Sequence, residues 1–332
     1  MAVEFEWRVA LEQLGEQGQW IQLALAAEYV GLDGLWLAAS AGAVDSLGVA
    51  GALCAHTRRL GLSVSVAPEV MLPAALANTL TSLQSISGER VTLYLPHPRE
   101  GQLGRAFGEQ LNLDQHHQRT AEYLEILANL FAPQGRPFDF HGNYFQLENA
   151  GHAQRLAPPR IILDQHQALP LLAAHADLCL LQCAAPPQLE QQIQRLRLAI
   201  SPRAPGFALH LGIIVRETAE QAWDAALHSW RRNGIDVDPA ASSRGVVLHA
   251  RSHQPLRALE VYPQLYAPDA RRPLQLVGST AQIVARIEEL HAMGVTRIVI
   301  DSEPAVAEVL RIGELLLPAL DHLRPRRQEL TS

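Results

Sequence analysis

The sequence predicts an α/β fold of the TIM (β/α)8 barrel type with insertion segments, and three observations predict it. Short β-like runs alternate with amphipathic helical stretches along all 332 residues. Strands separated in this way by helices pair in parallel. Eight strand candidates can be counted with no Gly/Ser linker between them, and one barrel with insertions accommodates this length. The G-x-G-x-x-G turn of a doubly wound dinucleotide-binding sheet is missing after the first strand. The expectation is one barrel over residues 1–332.

The elements follow in order. A first strand is expected over Phe5–Leu11. Helix Trp20–Val30 carries Ile21, Leu23, Leu25, Ala26 and Val30 on its apolar side, and Gly31 to Gly34 stop it. Strand Leu35–Ala39, helix Asp45–His56 and the alternating strand Leu60–Ala67 come next. Pro73 opens helix Ala74–Ile86 at a position that tolerates a missing N–H. Strand Val91–Leu95 follows the turn at Gly88. A longer connection holds helix Gln115–Phe131 and the aromatic turn Phe138–Phe145. Strand Arg160–Leu163, helix Ala168–Ala176, strand Leu178–Gln182 and helix Gln188–Ile200 form a further βαβα unit. Strand Ala208–Val215 leads to helix Thr218–Arg232, then to an irregular segment over Gly234–Pro273. Helix Thr280–Met293, strand Arg297–Asp301 and helix Ala305–Leu323 close the chain.

Composition narrows the function. The chain is 48% hydrophobic and 18% charged, which supplies a large core and excludes wholesale disorder. Its net charge of -7, with basic residues clustered only in the tail Arg324–Arg327, argues against a nucleic-acid partner. Cys54, Cys179 and Cys183 are odd in number and form no CxxC, so a disulfide framework or structural zinc site is not expected. No apolar run reaches the length of a membrane span, and the N-terminus lacks a signal-peptide core. Cytoplasm is the default expectation.

Several segments resemble the luciferase-like monooxygenases, nearest the FMN-dependent alkanesulfonate monooxygenase branch. They are Leu25–Trp36, Pro73–Arg90, the aromatic turn Phe138–Phe145, Val215–Trp223, Leu276–Thr280 and Arg311–Pro318. They occur in the family's order along almost the whole chain. The resemblance implies reduced FMN supplied by a separate flavin reductase, attack by O2, oxygen insertion into a small-molecule substrate, and a homo-oligomer.

The resemblance also directs attention to the strand ends, where barrel enzymes place their chemistry. After the fifth strand the family has a glycine- and serine-rich turn that holds the FMN phosphate. Here Leu163-Asp-Gln-His-Gln167 stands there, with Gln165, His166 and Gln167 as cofactor-binding candidates and Asp164 as either a repelling charge or a helix cap. Arg119 is the cation that survives from the family's Arg-Tyr pair, the tyrosine being Thr120. After the fourth strand His97 stands where the family has Thr-Gly beside the flavin. It is read as an acid/base candidate, or as a loop histidine pinned between prolines. In the seventh strand His210 takes the place of an anion-binding arginine. It alternates with Leu209 and Leu211, so it either faces the site or is a satisfied core histidine.

Other strand ends carry blander expectations. Asp45 and Ser46 are expected to cap a helix. Cys54 and Cys183 are expected to be inert buried thiols, with Cys183 in place of a family tryptophan. Glu303 is expected at a helix N-terminus, Ala43 in place of a family cysteine, and Arg271–Arg272 in a solvated loop. His116 and His117 diverge on a helix and cannot share a metal without distortion. The sulfonate-binding set is largely replaced, so the expected activity is a flavin-dependent oxidation of another small molecule. The alternative is a barrel without flavin chemistry that binds a partner or a small ligand. That alternative predicts an occluded mouth with Asp164 pointing into it, and an open cavity counts against it.

Overall fold

The computed structural model describes residues 2–11, 17–39, 44–97, 107–132, 136–151, 157–200, 204–232, 253–268, 273–303 and 305–325. Ala43, Pro98, Arg271, Arg272, Pro304, Arg326, Arg327 and most of the irregular segment expected from Gly234 lie outside them.

Eight parallel strands close into a barrel. They are β1 (Glu4–Ala10), β2 (Gly34–Ala38), β3 (Gly61–Ser65), β4 (Val91–Leu95), β5 (Arg160–Asp164), β6 (Leu178–Gln182), β7 (Gly206–Arg216) and β8 (Val295–Ile300). Each pairs with its neighbour in number, and β8 closes on β1 with Glu4 opposite Arg297 and Trp7 opposite Ile300.

The helices between them are α1 (Gln17–Val30), α2 (Ser46–Cys54), α3 (Pro73–Ser87), α4 (Leu113–Leu130), α5 (Leu169–His175), α6 (Pro186–Ala199), α7 (Ala219–Arg232), α8 (Thr280–Met293) and α9 (Val306–Arg311). Their ends follow local chemistry. Asp45 accepts from Gly48 N at 2.7 Å and caps α2. Ser46 does not share that role; its hydroxyl donates to Ser65 O at 2.8 Å and ties α2 to β3. Asn112 and Gln115 form a reciprocal capping box on α4, an arrangement of the kind that contributes about 1 kcal/mol. Gly88 ends α3 in the left-handed region at φ 70°, where a side chain would be strained.

Period-2 alternation sorts the strand residues. Phe5, Trp7, Val9, Leu35, Leu37, Leu62, Val64, Leu93, Leu163, Leu181, Leu209 and Leu211 pack outward in the main core. The inward residues form layers along the barrel axis. At the floor, Arg297 reaches Glu6 at 2.8 Å, and Ser63 donates to Glu6 at 3.0 Å. Above it lies an apolar plug of Trp36, Ala38, Ile162, Leu178, Leu180, Ala208 and Val299, with Tyr94 packed against it. This is a filled barrel rather than a pore. The third layer, at the strand C-termini, is polar.

Three features depart from the sequence expectation. The strand Gln275–Ser279 is an additional one, lying parallel to the outer half of β7 with Gln275 opposite Gly212 and Ser279 opposite Arg216. The antiparallel pair Glu260–Tyr262 and Leu265–Tyr266 continues that sheet away from the barrel. A second core forms there around Trp223, Trp230 and Tyr266. The antiparallel pair falls in the segment read as irregular, whereas Gln275–Ser279 follows it and reads only as a family-like stretch, because Leu276-Val-Gly is too short to show a period.

The aromatic turn is a hairpin, Phe138–His141 paired with Gln146–Ala150. Glu122 on α4 holds its tip by accepting from the backbone N–H groups of Asn143, Tyr144 and Phe145 at 2.7, 2.9 and 3.1 Å.

The last helix is not continuous. A π turn over Ile312–Leu316 follows α9, with Leu317 N bonded to Ile312 O at 3.0 Å, and a 3-10 segment covers Pro318–Leu323. Proline 318 cannot donate into a regular helix. Gly313 in the π turn lies against Val30 of α1 so closely that an added Cβ would fall 2.2 Å from the Val30 Cβ.

Candidate active site at the barrel mouth

The polar third layer lines a cavity of about 580 Å³. Each of β1 to β8 contributes, and Ala267, Pro273 and Leu274 roof it from the sheet beside β7. The volume falls in the range of about 300–1,000 Å³ that holds small organic ligands.

Two groups of side chains give the cavity its character. The first joins β1, β7 and the residue after β8. His210 Nε2 lies 2.9 Å from Asp301 Oδ2, and Arg8 Nη1 lies 3.5 Å from the same carboxylate oxygen. A carboxylate only accepts, so Nε2 of His210 carries the hydrogen, and in the neutral ring Nδ1 is the acceptor. The second group joins β2, β4 and β5. The Trp36 and Tyr94 rings meet at 4.6 Å between centroids, tilted by 51°. The Tyr94 hydroxyl donates to Asp164 Oδ2 at 3.4 Å, a long bond. Asp164 is 5% exposed, and its other oxygen accepts from His166 N at 2.9 Å.

Cys183 also lines the cavity. Burial pushes its thiol up to about 12, so it stays protonated near neutrality and is a poor nucleophile. Among the described residues no group of three or more His, Cys, Asp or Glu side chains is arranged to hold a metal.

Residues 6–297 match the luciferase-like monooxygenase family. The chain belongs to that family. Solved structures with the same fold include the long-chain alkane monooxygenase, 15% identical with a TM-score of 0.77 over 99% of this chain and 94% of that one. A riboflavin lyase, solved with modified FMN and riboflavin, is 17% identical with a TM-score of 0.75 over 98% and 93%. The coenzyme F420 dependent tetrahydromethanopterin reductase from Methanopyrus kandleri is 16% identical with a TM-score of 0.71 over 98% and 100%. At such identities these structures show the shared fold alone.

Within this luciferase-like barrel the expected site residues separate. His210 lines the cavity, one of the two places, site or core, that the sequence allows it. His97 is beside the mouth but not among the residues lining it. Its Nε2 is 3.0 Å from His117 Nε2, and the His166 ring lies 5.9 Å away. His116 points elsewhere, with Nδ1 at 2.9 Å from Glu69 Oε1 in a buried pair. The two neighbouring histidines diverge, as helical geometry requires.

The cofactor candidates are mostly committed to other contacts. Arg119 is buried, 3.6 Å from Glu109 and 4.9 Å above the Phe145 ring, and does not line the cavity. Gln165 accepts from Gln182 N at 3.0 Å and Gln192 Nε2 at 2.7 Å, bracing the β5 turn against β6 and α6. His166 is exposed on that turn. Gln167 differs from them: it is 4% exposed, and neither Nε2 nor Oε1 has a hydrogen-bond partner. Glu303 pairs with Arg232 and does not line the cavity.

Arg8, Trp36, Tyr94 and Asp301 were not singled out from the sequence. The signal was present in their spacing. Arg8 continues the inward Glu4–Glu6 register, and Asp301 follows Arg297 and Val299 at intervals of two.

A flavin can be tested against these residues. The cavity has the volume and the aromatic wall for an isoalloxazine ring. The orphaned Gln167 amide offers one unused donor beneath the β5 turn. No cation among the described residues stands at that turn, and Asp164 places a carboxylate there instead. The ring fits; a phosphate dianion has no counter-charge at the turn.

Proposed function

We propose that this protein is a flavin-dependent monooxygenase acting on a small organic substrate, with reduced FMN, delivered by a separate flavin reductase, as the cofactor. The observation that carries the reading is the cavity of about 580 Å³ that the described residues form at the strand C-termini of a luciferase-like barrel. When bound, reduced flavin supplies the electrons that activate dioxygen. Trp36 and Tyr94 give the cavity an aromatic wall, and Ala267, Pro273 and Leu274 cover one side of it. His210 Nδ1, oriented through Nε2 by Asp301, accepts a proton from the substrate or returns one to the product. The replacement of a guanidinium fork by His210 and the negative charge of Asp164 speak against an alkanesulfonate substrate.

Anaerobic titration with photoreduced FMN tests the proposal. Saturable binding in the micromolar range is expected. No heat and no change in flavin emission at high flavin concentration overturns it.

A second reading, a small-ligand binder without flavin chemistry, draws on Asp164. That carboxylate does line the cavity, as this reading requires. The same reading also requires an occluded mouth, and among the described residues nothing fills the cavity.

A further inference from the structure

We infer that the substrate class of this cavity is a small organic cation, a protonated amine or quaternary ammonium, with Asp164 as its counter-ion. The inference rests on the cavity being the substrate site.

The charges lining the cavity carry it. Arg8 and His210 are both turned onto Asp301, at 3.5 and 2.9 Å. That cluster satisfies its own acid. Asp164 has no such arrangement. Among the described residues no ion pair reaches it, although it is 5% exposed. Its contacts are one backbone N–H, from His166, and one long phenolic bond, from Tyr94. A buried carboxylate without a cation is costly, and a positively charged ligand removes the cost.

The surroundings match the same ligand. Trp36 and Tyr94 meet at 4.6 Å, and both line the cavity together with Asp164. Aromatic faces beside a carboxylate are the arrangement that recognises ammonium groups, through the ring quadrupole and the full charge together. An anionic substrate would have to displace Asp301 from Arg8 and sit in the same cavity as Asp164.

The test uses three probes of similar size and different charge: benzyltrimethylammonium, benzyl alcohol and benzoate. Calorimetry on the full-length wild-type protein is expected to show the cation binding at least about tenfold tighter than the alcohol, with benzoate weakest. Asp164→Asn keeps the shape and the acceptor for His166 N. It is expected to cost the cation about tenfold and to leave the alcohol within about twofold. Equal affinities, a preference for benzoate, or no binding of any probe overturns the inference.

Titration of the same protein with reduced FMN separates this outcome from the flavin reading. Flavin binding without cation preference removes the inference and leaves the proposed function. Cation preference without flavin binding does the reverse.

Discussion

His210 Nε2 lies 2.9 Å from Asp301 Oδ2, joining two side chains 91 positions apart in the chain. In the neutral ring the pairing favours the Nε2–H tautomer of His210. Long-range 1H–15N correlation spectra, assigned with His210→Gln, are expected to show a protonated Nε2 and a bare Nδ1. Asp301→Asn, whose amide can donate as well as accept, is expected to mix the two tautomers. A wild-type Nδ1–H pattern would remove the basis for treating His210 as a proton acceptor at the cavity.

Arg297 neutralises the barrel floor by bridging Glu4 and Glu6. Burial pushes the Glu6 carboxyl up, and Arg297 and the Ser63 hydroxyl offset this only in part. Arg297→Met leaves the buried Glu6 without its cation, while Glu4 keeps Arg160, and is expected to cost about 3–5 kcal/mol. Glu6→Gln removes the charge that burial disfavours and is expected to cost less than about 1 kcal/mol. Urea midpoints at unchanged slope measure both. The reverse ranking would show that the floor is not held by this charge balance.

Glu28 ties α1 to the start of β3. Its Oε1 accepts from the N–H groups of Arg58, Arg59 and Leu60 at 2.8, 2.5 and 3.0 Å. Burial opposes ionisation, but the three backbone donors and the Arg59 charge outweigh it and lower the carboxyl below its ordinary 4.5. A lowered carboxyl stabilises the fold above its unfolded value, and that stability is lost as pH falls through the folded value. Glu28→Gln is therefore expected to cost about 1 kcal/mol near neutrality and less once the wild-type acid is protonated. Unfolding curves at both conditions test it, and a pH-independent difference contradicts it.

Gly313 is required by contact with Val30. Glycine to alanine in a helix ordinarily gains about 1 kcal/mol. Here the added methyl meets the Val30 Cβ, and overpacking of this kind costs about 1–3 kcal/mol. Gly313→Ala is expected to be net destabilising, and Val30→Ala in the same chain to recover part of the loss. A double-mutant cycle without coupling would rule out the contact as the cause.

The β5 turn lacks a cation among the described residues, so the phosphate of FMN gains little there. Riboflavin and FMN, both reduced, are expected to bind within about threefold of one another, less than 1 kcal/mol. FMN tighter by a hundredfold or more would place a phosphate anchor elsewhere in the protein.

The barrel was legible because its signals are local and repeated. Strands Val91–Leu95 and Leu178–Gln182 and helix Thr280–Met293 occur with the bounds their patterns predict. The site was legible only in part. The family resemblance singles out His210, and alternation within one strand leaves it either at the site or in the core. Its partner Asp301 could not be found this way, since nothing local ties the two. Arg119 kept its place in the family pattern, yet Glu109 and Phe145, on either side of it in the chain, draw it away from the cavity. Trp36 looked like part of a scaffold motif because its inward face becomes meaningful only when Tyr94 arrives from two strands away.

β7 runs for eleven residues, longer than any other barrel strand. Its first half pairs with β8, and from Gly212 onward it pairs with Gln275–Ser279. At the crossover a Cβ on Gly212 would come within 2.7 Å of Gln275 Cγ and 2.9 Å of Asp301 O. The beam that carries His210 is thus also the beam from which the roof hangs, and Gly212 is the joint where roof, beam and Asp301 touch. A side chain at position 212 would therefore press on Gln275 and on the Asp301 carbonyl at once, and so disturb the roof and the partner of the imidazole together.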